Sequence, residues 1–234
     1  MIPKVIYLTY KNHNIPDYVI PNWENLNQEY KVEFYTDEDC RKFLQENYHD
    51  KYLEFFDSVK DGPIKSDFFR VCILYKFGGI YADIDIQPIE SIDLFLGKDV
   101  SFLTVLSKPS NGLINPHFIA CTPNNTIIKK IIDGFFDLKK NKVPYSYHAY
   151  SIVPITGRIF YKMFGGKGTT IPMKGPWTIC SDYFNIPEGI YKKPEGIIQL
   201  LQETCPKDFY ECAAWYKGKK ILLNRYKTYI DHTF

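Results

Sequence analysis

The chain has 234 residues, at roughly 150 per domain enough for one α/β domain with elaborations; its 45% hydrophobic and 24% charged residues are ordinary globular usage and exclude a disordered, collagen-like or all-repeat polypeptide. Twenty-nine Lys plus Arg against 27 Asp plus Glu leave a net charge of +2, too little to make nucleic acid or an anionic membrane the main partner. Any anion must therefore be held by a local group of residues.

Lys4 to Tyr10 and Lys31 to Tyr35 are β-branched and aromatic and read as two strands of a β-α-β unit, joined through a helix-like stretch around Trp23 to Gln28. Thr36 and Asp39 have capping-box spacing for a helix running to about Asn47, and a second helix is expected over Asp50 to Val59. Pro63 then opens a longer helix whose apolar face is Ile64, Phe68, Val71, Cys72 and Tyr75, and Gly78-Gly79 ends it. Ile80, Ala82, Ile84 and Ile86 alternate with Tyr81, Asp83, Asp85 and Gln87, which predicts one extended strand with apolar residues on one side. Downstream, strands are expected over Val100 to Val105 and Phe118 to Cys121, a helix over Asn125 to Lys140, and another from near Thr156 to Gly165-Gly166. The last third, with Pro172, Pro176, Trp177, Pro187 and Pro194, reads as short strands and loops. No internal repeat or linker divides the chain, so residues 1–234 are expected to form a single domain.

Six cysteines, at 40, 72, 121, 180, 205 and 212, show no zinc-like double pair. They read as mostly reduced, with Cys205/Cys212 the pair placed to close a short loop. No apolar run reaches the roughly 18 residues of a membrane span, and the N-terminus shows no basic leader. The expected location is the cytoplasm.

On a continuous strand Asp83 and Asp85 would leave the same face, roughly 6 to 7 Å apart between Cα atoms. Two like charges in a small volume raise at least one pKa unless a cation lies between them, and carboxylate oxygens suit Mg²⁺ or Mn²⁺. Two carboxylates leave such an ion open positions for water or substrate phosphates. Asp67 and Arg70, three apart on the preceding helix, are neighbours beside its apolar stripe. They read either as a plain ion pair or as a group that brings the fork of Arg70 to a phosphate or sugar.

Ser66-Asp67-Phe68-Phe69-Arg70, Leu74-Tyr75-Lys76-Phe77-Gly78-Gly79-Ile80-Tyr81 and Ala82-Asp83-Ile84-Asp85 together resemble the core of glycosyltransferase family 32, the Och1-like mannosyltransferase and α-1,4-glycosyltransferase group. Ile2 to Tyr7 and Tyr35 to Asp39 resemble the family's first strand and the exit of its second; Asn115 to Ala120 and Thr156-Gly157 are weaker echoes, so the likeness covers most of residues 2 to 164. The resemblance implies a GT-A fold, with a Rossmann-like nucleotide-sugar-binding half over about 1–120 and an acceptor-binding half over about 121–234. It implies a metal-dependent enzyme moving a sugar from a UDP- or GDP-sugar to a hydroxyl of a glycan or other acceptor, with retention.

By the same resemblance Asp83 and Asp85 hold Mn²⁺ or Mg²⁺, and Asp67 and Arg70 hold the donor sugar and its phosphate. Thr9, Tyr10, Tyr81, Asn115 and Gly157 line the substrate. Tyr10 stands where relatives usually carry Trp, which puts a smaller ring against the base. Asp231-His232-Thr233-Phe234 resembles a shortened form of the family's C-terminal signature, and His232 is thereby implied as a further metal ligand.

The absence of a leader or anchor sequence points to a soluble bacterial or viral form, or to a domain of a larger protein. The alternative of a different class is an inactive glycan- or nucleotide-sugar-binding module of the same fold. A glycoside hydrolase ranks lower, because its two carboxylates must flank the scissile bond. A nucleic-acid role has only Lys217, Lys219, Lys220, Arg225 and Lys227 among Trp215, Tyr216 and Tyr226 to support it, a cluster that reads as a solvated face.

Overall fold

The computed structural model describes residues 1–107, 113–165, 186–205 and 212–224. The first β-α-β unit forms as the pattern implies: β1 (Val5–Thr9), α1 (Val19–Leu26) and β2 (Lys31–Tyr35), with the two strands parallel and Val5 opposite Lys31. Thr36 caps α2 (Asp37–Asn47): its hydroxyl accepts from the Asp39 N–H while Asp39 accepts from the Thr36 N–H. Aspartate therefore serves where Glu is the commoner third residue of a capping box. The next elements are α3 (Asp50–Ser58), α4 (Gly62–Phe77), β3 (Gly79–Ala82) and β4 (Ile86–Pro88). They are followed by β5 (Phe102–Ser107), β6 (Leu113–Cys121), α5 (Thr126–Lys140), the single turn α6 (Tyr147–Tyr150) and α7 (Ile152–Met163). Four short strands complete the described chain: β7 (Gly189–Lys193), β8 (Gly196–Thr204), β9 (Cys212–Tyr216) and β10 (Lys219–Asn224).

Among the described residues the strands form one mixed sheet in the order β2-β1-β3-β6-β5-β8-β9-β10-β4, with β7 beside β8. Both faces are covered. Tyr7, Tyr81, Phe102, Ile119 and Cys121 face the core under α2–α5 and α7, whereas Ile6, Leu8, Ile80, Leu103 and Phe118 face a second core around Trp23 and Phe95. A sheet buried on both faces needs apolar residues at every position, not at alternate ones. Tyr81, expected on a polar side, is accordingly 0% exposed.

The strand expected over residues 80–87 is two strands. The Ile86 N–H donates to the Asp83 carbonyl at 3.0 Å, so Asp83-Ile84-Asp85-Ile86 is a turn. Beyond it β4 pairs antiparallel with β10, Ile86 lying opposite Asn224. Because only three residues separate β3 from β4, and three residues span about 10 Å at most, the strand path from β3 to β4 returns close to its own start. Two further expectations are corrected. α7 begins at Ile152 rather than near Thr156, because the Ser151 hydroxyl caps it by accepting from Val153, and Pro154 sits in the first turn, where no N–H is required. Cys205 and Cys212 are joined in a disulfide; the antiparallel pairing of Thr204 with Ala213 sets them opposite one another. Cys40, Cys72 and Cys121 are free and buried, while Cys180, Pro172, Pro176 and Trp177 lie outside the described residues.

Gly78 makes the handover from α4 to β3 possible. Its φ of 65° and ψ of −158° lie in a region open in practice to glycine alone. An added Cβ would meet Pro123 Cδ at 2.6 Å and the Cys121 carbonyl oxygen at 2.8 Å. Gly78→Ala is expected to cost about 2 to 4 kcal/mol of stability from strained backbone plus overpacking, read as a lowered urea midpoint with an unchanged slope.

Candidate active site

β1, β2 and β3 run parallel, so their carboxyl ends lie together, and in α/β sheets that edge is where ligands bind. Thr9 and Tyr10 leave β1 there, and Asp83 to Asp85 leave β3 there. The first half of α4 lies at the same edge, with Ser66 against Thr9 and Tyr81. The helix is buried almost all round, so Asp67 and Arg70, expected beside an apolar stripe, are themselves buried at 8% and 4% exposure.

The Arg70 guanidinium is the hub. Its Nη2 lies 2.9 Å from Asp67 Oδ1 and 2.8 Å from Asp83 Oδ1, and its Nη1 donates to the Pro116 carbonyl at 2.7 Å. Its face covers the Tyr81 ring, with Cζ 4.5 Å from the ring centre. The Tyr81 hydroxyl is in turn within 2.6 Å of Thr9 Oγ1 and 2.5 Å of Ser66 Oγ. The second oxygen of Asp67 accepts the Ile152 N–H at 2.9 Å, the first N–H of α7, where the helix dipole favours an anion. One arginine thus ties together α4, β3, β6 and, through Asp67, α7. Removing one partner from such a buried group costs about 3–5 kcal/mol, because the other is left charged and unpaired.

Burial lowers the affinity of Arg70 for its proton, but Asp83, Tyr81 and Asp67 more than reverse this, and the guanidinium stays charged. Burial pushes the Asp67 carboxyl up to about 6 against the opposing pull of Arg70 and the Ile152 N–H. Asp85 is raised well above the ordinary carboxyl range, first by burial and then by the neighbouring Asp83 charge. His117 and Arg70 offset this only in part, and a divalent cation would supply the remaining positive charge. The Asp83 side chain, 30% exposed, keeps open access to such an ion. The donor set is all carboxylate oxygen, which suits Mg²⁺ or Mn²⁺.

Thr9, Asp67, Arg70, Tyr81 and Asp83 are therefore in direct contact as one cluster, with Asp85 beside them. Asn115 on β6 is not in direct contact with that cluster among the described bonds; its Nδ2 donates to Glu203 at 3.0 Å. Tyr10 is half-buried beyond the end of β1, its N–H bonded to the Tyr35 carbonyl and its ring 5.5 Å from Lys11 Nζ. Gly157 is buried within α7. His232, together with Arg225, Tyr226 and Lys227, lies outside the described residues.

Several participants were not singled out from sequence. Ser66 shares a helix face with Arg70, four residues on, and that spacing was the available signal. The Pro116 carbonyl and the Ile152 N–H are backbone groups with no side-chain signature. His117 and Glu203 form a buried pair, Nε2 to Oε1 at 2.8 Å. Burial lowers the His117 pKa, yet Glu203, Asp83 and Asp85 raise it overall; Glu203 is lowered despite burial by His117, Asn115 and Ser107. Glu203 is the one charged residue of β8, and that was the only sequence hint of it.

Residues 16–102 match the model of the glycosyltransferase sugar-binding region containing the DXD motif. Over 151 residues the chain is 31% identical to an uncharacterized glycosyltransferase of Acanthamoeba polyphaga mimivirus, covering 60% of this chain and 58% of that one. It is 27% identical over 183 residues to a mannosyl phosphorylinositol ceramide synthase of Saccharomyces cerevisiae, covering 75% and 45%. It is 34% identical over 98 residues to inositol phosphoceramide mannosyltransferase 3 of Schizosaccharomyces pombe, covering 41% and 27%. The chain thus spans 27% to 58% of the length of these relatives. In structure it is similar to the PaToxG glycosyltransferase, with a TM-score of 0.56 and 18% identity, over 70% of this chain and 71% of that one; this likeness is of fold, the GT-A arrangement. No helix among the described residues is long and apolar enough to cross a membrane. The matched segment contains Asp67, Arg70, Tyr81 and the whole Asp83-Ile84-Asp85 turn, so the cluster built around Arg70 lies within the part of the chain that is similar to the glycosyltransferase sugar-binding region containing the DXD motif.

Proposed function

We propose that this chain transfers a hexose from a UDP- or GDP-sugar to a hydroxyl of a glycan or glycoconjugate, with the diphosphate held at the Asp83–Asp85 turn and Arg70. The observation that carries this reading is the buried Arg70 shared between Asp67 and Asp83 at the carboxyl edge of parallel strands. The names of the fungal relatives, an inositol phosphoceramide mannosyltransferase and a mannosyl phosphorylinositol ceramide synthase, make mannose the first donor sugar to test. Residues 1–120 supply most of the donor side and residues 121–234 the acceptor side, although β8 to β10 return into the same sheet.

When the sugar leaves, the bond from its anomeric carbon to the β-phosphate oxygen breaks and a bond to the acceptor oxygen forms. The acceptor's proton passes to the departing phosphate oxygen. Bound at Asp83 and Asp85, Mn²⁺ or Mg²⁺ would supply charge against the growing negative charge on the diphosphate. Arg70 is already fixed by four structural elements, so its charge needs no reorganisation as the leaving group develops. Asp67, anchored to the start of α7, orients Arg70 and offers its carboxylate edge to sugar hydroxyls. Tyr81, held through Thr9 and Ser66, keeps the guanidinium flat against its ring. Front-face attack with retention is the stereochemical course that the family resemblance supports.

Incubation with UDP- and GDP-hexoses plus Mn²⁺ is expected to release nucleoside diphosphate, and EDTA to abolish it. Asp85→Asn and Arg70→Ala should each lower kcat by about 100-fold or more. A folded wild type that binds neither nucleotide in Mn²⁺ overturns the reading, whereas nucleotide-independent glycan binding that survives Asp85→Asn marks a binding module.

In the metal-free protein Asp67, Asp85 and His117 hold their protons more tightly folded than unfolded. Each therefore contributes stability below its unfolded pKa and loses it as pH rises through its folded value. The Tm of metal-free protein is expected to fall between pH 5 and pH 8. Added Mn²⁺ competes with protons on Asp85 and should raise Tm more at pH 8 than at pH 5, as scanning fluorimetry in both buffers would measure.

A further inference from the structure

Two groups of the donor cluster lean on backbone carbonyls of β6: the Asp83 N–H donates to His117 O at 2.8 Å, and Arg70 Nη1 to Pro116 O at 2.7 Å. β6 is held to β3 by a regular ladder as far as Ala82 opposite Phe118, but on its other side it is not held so to β5. Leu103 of β5 faces Ala120, but Val105 already faces Asn115, so two steps along β5 correspond to five along β6 and the segment between is bulged. Bulges next to active sites re-aim groups and need support from elsewhere. The support comes from β8, the strand beyond β5. Glu203 Oε1 takes His117 Nε2 at 2.8 Å and Oε2 takes Asn115 Nδ2 at 3.0 Å, with the Ser107 hydroxyl as a third partner. Ser107 is also the β5 residue directly opposite Glu203. Glu203 is 1% exposed and His117 5%, so the bond between them is not in competition with water.

We infer that Glu203 is a positioning residue for the transfer reaction: by clamping the side chains of Asn115 and His117 it fixes the bulged carbonyls of residues 116 and 117, which in turn set Arg70 and Asp83 against the diphosphate and its cation. This rests on the proposed donor-binding role of Arg70 and Asp83. Outer partners that orient a metal site commonly change metal affinity 10- to 100-fold when removed, and Glu203 acts one bond further back, through backbone, so the lower end applies.

The test is calorimetry of UDP and of GDP binding, each with and without Mn²⁺, on wild type, Glu203→Gln, His117→Gln and the double variant, alongside their Tm values. Leu138→Ala, on α5 and remote from the cluster, serves as a destabilised control. Glu203→Gln is expected to weaken nucleotide binding in Mn²⁺ about tenfold, and the metal-free component, which Arg70 carries, by less. The double variant should be no weaker than the worse single one, because both changes break the same clamp. Leu138→Ala should lower Tm without changing the Mn²⁺ dependence. Wild-type affinity in a folded Glu203→Gln protein overturns the inference, as does strict additivity of the two changes or an equal Mn²⁺ effect in Leu138→Ala. A wild type that binds neither nucleotide instead removes the functional reading beneath it.

Discussion

The structure depends on one buried guanidinium. Arg70 sits where α4, β3 and β6 meet, and its charge is balanced by Asp67 and Asp83 without access to bulk water. Burying a charge is tolerable only when its hydrogen-bonding directions are filled. That requirement explains the neighbouring geometry: a proline carbonyl turned toward Nη1, a tyrosine ring beneath the plane, and a carboxylate whose second oxygen is occupied by the start of another helix. The same constraint leaves one face of Asp83 open and Asp85 short of positive charge, which is the electrostatic condition for taking a divalent cation with an anionic ligand.

Function and stability are opposed at this edge of the sheet. Asp67 and Asp85 both hold carboxyls against their preference for water, and the fold absorbs that cost through the two aromatic-rich cores on either side of the sheet. A ligand carrying its own cation would relieve the strain at Asp85 and not at Asp67, whose partner is internal. The two acids are therefore unequal: Asp67 is balanced by Arg70 and the Ile152 N–H within the fold, whereas Asp85 is not balanced in this way.

Much of this was legible in the sequence because local rules applied. The Thr36–Asp39 box, the Gly78 stop and the Asp67/Arg70 spacing each follow from backbone geometry over a few residues. The extent of the strand through residues 80–87 was misread for a physical reason. Alternation continues unbroken across the Asp83–Asp85 turn because Ile84 and Ile86 are buried on either side of it, and a period of two cannot report that the chain has moved to a different edge of the sheet. The true start of α7, four residues before Thr156, is set by the Ser151 cap and by Pro154 in the first turn, where a missing N–H costs nothing. Tertiary contributions left almost no trace: the Ile152 N–H on Asp67 and the reach of Glu203 to β6 join residues 85 to 88 positions apart, beyond any spacing rule.

The returning strand path has a bearing on how the molecule is made. β5 finds its second neighbour only in β8, nearly a hundred residues later, and β4 finds its partner only in β10. A nascent chain that has emerged as far as α7 would hold its first three parallel strands and most of its helices, yet leave the apolar edge of β5 bare and the acidic turn anchored on one side. Contacts of such long separation form slowly, and an uncovered edge invites pairing with another chain. The β5–β8 and β4–β10 pairings are thus the last parts of the sheet to close during synthesis, and in that interval those strand edges are the most exposed to misassembly.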